Sequence, residues 1–142
     1  MLLVIDVGNT NICGGVYEDG ALRHSLRIHT VPKKTEDEYS SIFRAILSDR
    51  GIDPSRIDRV LLSSVVPALT GAMEEMCRHL FGAAPATLGP SLYSRLPLEV
   101  TNPREIGADL VADAFAAWKK TGGACIVVAF GTATVLDVVS ER

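Results

Sequence analysis

No apolar run in the 142-residue sequence approaches the roughly 20 residues that a membrane-spanning helix needs. The first residues, from Met1 to Asp6, contain no basic segment and reach an acidic side chain at once, unlike a secretory signal peptide. The net charge is −3, whereas nucleic-acid-binding surfaces carry a basic excess. We therefore expect a cytoplasmic protein with no membrane partner and no nucleic-acid partner.

Cysteine is scarce, and the three present (Cys13, Cys77 and Cys125) show no C-x-x-C pair or other metal-ligand spacing. We expect them to be reduced thiols. The nucleotide-binding motifs G-x-x-x-x-G-K-[ST] and G-x-G-x-x-G are also absent, so neither a P-loop nor a Rossmann site is predicted. The hydrophobic fraction of 47% beside a charged fraction of 22% indicates a globular domain with its own core.

The first 30 residues predict three strands. Residues 2–5 are a short apolar run, and residues 12–17 form a second strand interrupted by Gly14 and Gly15. Asp19-Gly20 then favours the positive φ of a tight hairpin turn, which leads into a third strand over residues 21–30.

Three helices are predicted between further strands. Thr35 and Glu38 form an S/T-x-x-E capping box ahead of an apolar face that continues towards Gly51. The second helix covers residues 69–80, after a strand at 59–66 that Pro67 closes. The third begins near Asp109 and ends near Lys120, with a buried stripe of Val111, Ala114, Phe115 and Trp118. Residues 91–106 are expected to be mostly irregular, and short strands are predicted at residues 86–88, 125–128 and 135–139.

The two ends of the sequence resemble each other. Residues 3–11 (LVIDVGNTN) and 126–134 (IVVAFGTAT) each place an x-x-G-[NT] turn after an apolar strand and before another strand. This pattern predicts an internal repeat. We expect a first domain over residues 1–121 and an incomplete second domain over residues 122–142, whose hairpin would keep an exposed edge.

The turn at residues 6–11 is a candidate phosphate site. Gly8 permits close approach of backbone N–H groups to an anion, Asn9 adds a side-chain donor, and Asp6 suits Mg²⁺ beside a nucleotide's phosphates. One such turn alone is more simply a strand turn with a solvated aspartate. The second turn, at residues 131–132, favours the phosphate site, because two hairpins facing each other across a cleft would hold one polyphosphate from both sides.

Asp109 has two open interpretations. An acid in the first turn of a helix is favoured by the helix macrodipole. A carboxylate near a phosphate donor also serves as a general base that accepts the proton of a substrate hydroxyl. Ser63 and Ser64, at the end of a central strand, either line the same cleft or cap the following helix.

Four segments occur in the order and spacing of the type III pantothenate kinases, which the chain resembles over essentially its whole length. The family belongs to the actin/hexokinase/Hsp70-like superfamily. The resemblance therefore implies an α/β fold: an actin-like (ribonuclease H-like) domain with a mixed sheet and flanking helices, plus the first hairpin of a second similar domain. The segments are residues 6–11, Ser63-Ser64-Val65-Val66-Pro67, Asn102-Pro103-Arg104-Glu105-Ile106-Gly107-Ala108-Asp109 and Phe130-Gly131-Thr132-Ala133-Thr134.

The resemblance also implies ATP-dependent phosphorylation of pantothenate to 4'-phosphopantothenate, the first step of coenzyme A biosynthesis. It implies Mg²⁺ and a monovalent cation (K⁺ or NH₄⁺), and a homodimer. By position, Asp109 would accept the proton of the pantothenate hydroxyl, and Asp6 would hold Mg²⁺ through water. The pantothenate site would comprise Gly107, Ala108, Asp109 and Leu110. The ATP site would comprise Asp6, Val7, Gly8, Asn9, Thr10, Asn11, Ile12, Cys13, Gly131 and Thr132.

Two positions depart from the family pattern. Leu110 stands where the family has arginine, and leucine cannot supply a guanidinium's donors. Ala129 stands at the aspartate position associated with the monovalent cation, and a methyl group cannot ligate a cation. The family's adenosine-binding glycines, which lie further downstream, are also absent from these 142 residues. We therefore expect weak or no kinase activity from the chain by itself.

Two other functions are considered. A degenerate, non-catalytic family member would act as a binding or regulatory module, which the changes at Leu110 and Ala129 favour. A sugar or acetate kinase of the same superfamily is disfavoured by the motif at residues 102–109.

Overall fold

The computed structural model describes residues 1–93, 95–98, 102 and 105–141. The chain forms two compact units, Met1–Thr87 and Leu88–Arg142. A domain boundary between residues 121 and 122 remains a prediction. No helix in the described ranges has the length and apolar character that crossing a membrane requires.

The sheet of the first unit contains β1 (Leu2–Val7), β2 (Asn11–Glu18), β3 (Ala21–His29), β4 (Arg59–Ser64) and β5 (Ala86–Thr87). Their order is β3-β2-β1-β4-β5. β2 is antiparallel to both of its neighbours, whereas β4 is parallel to β1 and to β5. β1 is thus the strand at which antiparallel pairing changes to parallel pairing, and the predicted mixed sheet is present.

The hairpin between β2 and β3 turns as the sequence predicts. Asp19 and Gly20 have φ values of 53° and 78°, which are the left-handed conformations that a primed turn requires. The prediction that Gly14 and Gly15 interrupt the second strand is wrong, because β2 runs through both to Glu18. A Cβ atom at Gly14 would lie 3.0 Å from Leu26 Cγ, so the glycine instead makes room for a side chain of β3.

Four α-helices occur in the described part, beside a 3₁₀-helix at Pro54–Arg56: α1 (Glu36–Asp49), α2 (Pro67–Phe81), α3 (Pro90–Tyr93) and α4 (Ala108–Thr121). The capping box ahead of α1 is confirmed. Glu38 N–H donates to Thr35 Oγ1 at 3.4 Å, and Thr35 N–H donates to Glu38 Oε2 at 2.9 Å. Pro67 does not close β4, which ends at Ser64; it begins α2, where the fixed φ of proline fits the first helical turn. The segment expected to be irregular begins with the single turn α3.

The helices α1 and α2 pack with the sheet to form the core of the first unit. Leu3, Ile5 and Val7 of β1 are fully buried on one face of the sheet. They belong to one cluster with the apolar sides of both helices. All five inward positions predicted for the second helix are buried: Leu69, Met73, Met76, Cys77 and Leu80.

Burial of Cys77 gives a testable difference among the thiols. Burial raises the pKa of the Cys77 thiol from 9.0 to about 12. At pH 8 this lowers its thiolate fraction about 1000-fold, and the thiolate is the reactive form. A thiol reagent should therefore modify the half-buried Cys13 and Cys125 at least about 100-fold faster than Cys77, which should react only on unfolding. Equal rates at all three cysteines in the native chain would contradict the packing of α2.

The second unit contains α4 and a hairpin of β6 (Cys125–Phe130) and β7 (Thr134–Val139), which are antiparallel. α4 ends at Gly122, whose φ of 71° is left-handed, as the Gly122-Gly123 pair predicts. Of the stripe predicted for this helix, only Val111 is fully buried. Ala114, Phe115 and Trp118 are half-buried and line a shallow pocket within the unit.

Candidate functional site

The first glycine turn joins β1 to β2 and is held by backbone hydrogen bonds. Gly8 N–H donates to the carbonyl of Asn11 at 3.0 Å, and Thr30 N–H donates to the carbonyl of Thr10 at 3.0 Å. The Thr30 hydroxyl donates to the carbonyl of Gly8 at 2.6 Å. A Cβ atom at Gly8 would lie 3.1 Å from the Asn11 carbonyl oxygen, so the turn is tight because this residue is glycine. Asn9 and Thr10 are exposed at its tip.

Asp6 lies at the carboxyl end of β1, beside Cys13 of β2 and Ser63 of β4. Its side chain is half-buried, and its Oδ1 is shielded from solvent. Ligands of open α/β sheets bind outside the carboxyl ends of the strands. Asp6 and the Gly8 turn lie at the carboxyl end of β1, which is parallel to β4.

The proposed ATP-site residues around this turn differ in what they can offer a ligand. Val7 and Ile12 are 0% exposed and belong to the core. Their side chains therefore hold the turn in place rather than contact a ligand. Gly8, Asn9 and Thr10 offer backbone and side-chain polar groups at the surface. Oxygen ligands and water suit Mg²⁺, so the carboxylate of Asp6 fits a water-mediated metal at this turn.

The two serines at the end of β4 have different surroundings. Ser64 Oγ accepts hydrogen bonds from Val66 N–H at 3.3 Å and from Thr70 Oγ1 at 2.9 Å. Ser64 therefore ties the start of α2 to the strand, which favours its structural interpretation. Ser63 is 6% exposed and lies beside Asp6 in the parallel register.

Asp109 lies in the first turn of α4. Its Oδ1 accepts the N–H of Leu110 at 2.8 Å, while the residue before the helix, Gly107, has no side chain to cap it. The carboxylate thus performs the helix-start role that the macrodipole favours. This role does not exclude proton transfer, because an ionised carboxylate has a second oxygen that accepts hydrogen bonds.

Tyr93 lies close to Asp109 and was missed by the sequence analysis. The tyrosine is 4% exposed, in α3. Burial raises the pKa of its hydroxyl above the usual range, and the negative charge of Asp109 raises this pKa further. The sequence signal was weak, because Tyr93 precedes the motif at residues 102–109 in a stretch expected to be irregular. Pro103 and Arg104 of that motif lie outside the described residues.

Two further carboxylates of the second unit are Asp113 and Asp137. Asp113, one helical turn further along α4, has a pKa raised by partial desolvation and then by the negative charges of Asp109 and Asp137. Asp137 lies on β7, and its Oδ2 is buried without a hydrogen-bond partner in the described part of the chain. No three His, Cys, Asp or Glu side chains of the described ranges are arranged to hold a metal ion.

The second glycine turn, between β6 and β7, also directs its glycine N–H to a carbonyl of the same turn, but it is one residue shorter than the first. Gly131 N–H donates to the carbonyl of Ala133 at 3.1 Å, whereas Gly8 N–H donates to that of Asn11. Thr132 is exposed at its tip, and Ala129 is half-buried on β6. A methyl group offers no oxygen ligand, so residue 129 does not fit a monovalent cation. Leu110 is half-buried in the first turn of α4 and offers no donor.

Comparison with known proteins identifies one family. The sequence profile of the type III pantothenate kinases matches residues 2–142. The chain is 44% identical, over all of its 142 residues, to the type III pantothenate kinase of Anaeromyxobacter dehalogenans (strain 2CP-C). It is also 44% identical to that of Geotalea uraniireducens (strain Rf4). Both alignments cover 56% of the relative, so the chain spans about half the length of the curated relatives it matches.

The fold is shared with a solved sugar kinase. The crystal structure of a ROK family glucokinase from Streptomyces griseus, in complex with glucose and AMPPNP, superposes on the chain with a TM-score of 0.52. Sequence identity is 16%, and the match covers 99% of this chain and 44% of the glucokinase. At this identity the match speaks for the fold alone, and it confirms the actin-like fold class.

Proposed function

Since the chain belongs to the type III pantothenate kinase family, we propose that it is part of an enzyme that phosphorylates pantothenate with ATP. The product is 4'-phosphopantothenate, in the first step of coenzyme A biosynthesis. The observation that carries the proposal is the match of the family's sequence profile to residues 2–142, which includes Asp109 in the first turn of α4.

We assign the proton transfer to Asp109. The hydroxyl oxygen of pantothenate attacks the γ-phosphorus of ATP, the bond between that phosphorus and the β,γ-bridging oxygen breaks, and the hydroxyl proton passes to the Asp109 carboxylate. General bases of this kind contribute about 10²–10⁴-fold to the rate. The hydroxyl of Tyr93 stays protonated at neutral pH, since its pKa is raised. It is therefore a hydrogen-bond donor available to the substrate or to Asp109.

Phosphate binding is assigned to the two glycine turns. Backbone N–H groups near Gly8 and Gly131, with the side chains of Asn9, Thr10 and Thr132, supply donors of the kind that bind phosphate oxygens. Mg²⁺ held through water by Asp6 would neutralise charge on the phosphates. K⁺ or NH₄⁺ is not assigned to residue 129, because alanine cannot ligate it. A homodimer and a cytoplasmic location remain predictions.

The alternative is a non-catalytic binding module. Leu110 and Ala129 favour it, since both lack the polar groups found at these positions in the family. A coupled ADP-release assay separates the two functions. It uses a kinase completed by joining the chain to the part of the Anaeromyxobacter dehalogenans relative beyond their alignment. We expect ADP release with pantothenate and none above background with glucose. Release with glucose alone, or with neither compound, would count against the proposal.

Leu110→Arg is expected to strengthen pantothenate use. Pantothenate is a carboxylate, and a charge-assisted hydrogen bond contributes about 1.5–3 kcal/mol, which corresponds to about 10–100-fold in kcat/KM. The completed kinase should show this gain for pantothenate, while its KM for ATP stays within about 2-fold. Leu110→Met serves as the control because it changes shape but adds no donor. An equal gain from methionine would show that packing, rather than charge, limits the site.

A further inference from the structure

Ser63, near the carboxyl end of β4, has a buried hydroxyl group. The residue is 6% exposed, and its Oγ has no hydrogen-bond partner in the described part of the chain. The next residue differs, because Ser64 Oγ is hydrogen-bonded to Val66 and to Thr70. Buried polar groups of native proteins nearly always have a hydrogen-bond partner, so the hydroxyl of Ser63 requires an explanation that Ser64 does not.

The strand register places Ser63 on the same face of the sheet as Asp6. The two residues are partners in the parallel register of β1 and β4. The next pair along is Val7 with Ser64. Val7 belongs to the core cluster that includes α1 and α2, and Ser64 is hydrogen-bonded within α2. Because successive side chains of a strand point to opposite faces, Asp6 and Ser63 share the face away from these helices.

The fold keeps Ser63 close to the carboxylate of Asp6. Neighbouring strands lie about 4.8 Å apart. Val65 N–H donates to the carbonyl of Val7 at 3.0 Å, which holds the end of β4 beside β1. On the other side of Asp6, the register partner is Cys13, whose thiol is only a weak hydrogen-bond donor. Ser63 therefore provides the stronger donor of the two residues that flank Asp6 in the sheet.

We propose that Ser63 is a positioning residue for the metal-binding carboxylate of Asp6. Its hydroxyl donates its proton to Asp6 and accepts a hydrogen bond from a water molecule of the hydrated Mg²⁺, since a serine oxygen can do both at once. Partners of this kind orient metal-binding groups, and their loss typically lowers metal affinity by about 10–100-fold. The inference rests on the proposed assignment of Mg²⁺ to Asp6 and adds a residue to that site.

The test measures how much Mg²⁺ strengthens nucleotide binding. Calorimetry gives the affinity of the completed kinase for AMPPNP with Mg²⁺ and with EDTA, and the ratio of the two is the metal effect. Ser63→Ala should lower this ratio at least about 10-fold and leave the affinity with EDTA within about 2-fold. Ser63→Thr keeps the hydroxyl and should retain the ratio within about 3-fold. Ser40→Ala is the matched control, because Ser40 Oγ on α1 is also buried without a partner in the described residues, and the ratio should not change.

Two further measurements separate the possible outcomes. Ser63→Ala should leave the urea midpoint unchanged or raise it, because alanine removes a buried hydroxyl that has no partner. A lower midpoint, or a loss of affinity that is equal with Mg²⁺ and with EDTA, would refute the positioning role. Asp6→Asn tests the premise. If it abolishes the metal effect while Ser63→Ala does not change it, the inference fails and the proposed Mg²⁺ site stands. If neither variant changes the metal effect, both fail together.

Discussion

Replacing Asp109 with asparagine should lower the kcat of pantothenate phosphorylation by about 10²–10⁴-fold, which is the usual contribution of a general base. Asparagine keeps the size of the side chain, and its carbonyl oxygen can still accept the N–H of Leu110, as Asp109 Oδ1 does at 2.8 Å. The start of α4 should therefore remain intact. What is lost is the carboxylate that takes the substrate proton, so kcat should fall while the KM for pantothenate changes little.

The measurement uses the completed kinase and the ADP-release assay at saturating ATP. Asp37→Asn is the matched control, because Asp37 is also an acid in the first turn of a helix, in α1, and it is exposed. It should keep kcat within about 2-fold. If Asp109→Asn retains turnover within about 3-fold of the parent, Asp109 serves only to start the helix, and another group accepts the proton.

Phe43→Ala should lower the free energy of unfolding of the chain by about 3–5 kcal/mol. Phe43 is 0% exposed and lies in the cluster formed by β1, β2, α1 and α2. Its removal leaves a cavity where the two helices cover the sheet. Domains of this size are stable by about 5–15 kcal/mol, so the loss is a large fraction of the total. Urea denaturation followed by circular dichroism measures it as a lower midpoint.

Leu22→Ala is the comparison for that experiment. Leu22 is 53% exposed on β3, and exposed substitutions change stability by no more than about 0.5 kcal/mol. A drop at Leu22 as large as that at Phe43 would mean that the core does not lie under α1 and α2. Equal and small changes at both positions would lead to the same conclusion.

The sequence correctly predicted the caps and turns that a few neighbouring residues determine. The capping box at Thr35, the Asp19-Gly20 hairpin and the glycine after α4 depend on a few neighbouring residues, and the structure has all three. The errors occurred where residues that are distant in the sequence determine the local structure. Gly14 reads as a strand break in the sequence, yet it makes room for Leu26 of the neighbouring strand.

The sequence predicted some parts of the candidate site and missed others. The glycine turns were predicted because each combines a motif with a preceding strand, and the structure has a turn at both places. Tyr93 was not found, because its closeness to Asp109 depends on tertiary structure and leaves no local signal in the sequence. Val7 and Ile12 were assigned to the ATP site by position, but their side chains are buried in the core. Sequence position alone does not distinguish side chains that contact a ligand from those that support the turn.

We propose that the turns at Gly8 and Gly131 each bind phosphate and that Asp109 accepts the proton of the pantothenate hydroxyl. A crystal structure of the completed kinase with pantothenate and AMPPNP tests it most directly. We expect backbone N–H groups of both turns within hydrogen-bond distance of the phosphates, and the pantothenate hydroxyl within reach of the Asp109 carboxylate. A nucleotide bound away from either turn, or a pantothenate hydroxyl that faces a different base, would contradict the account.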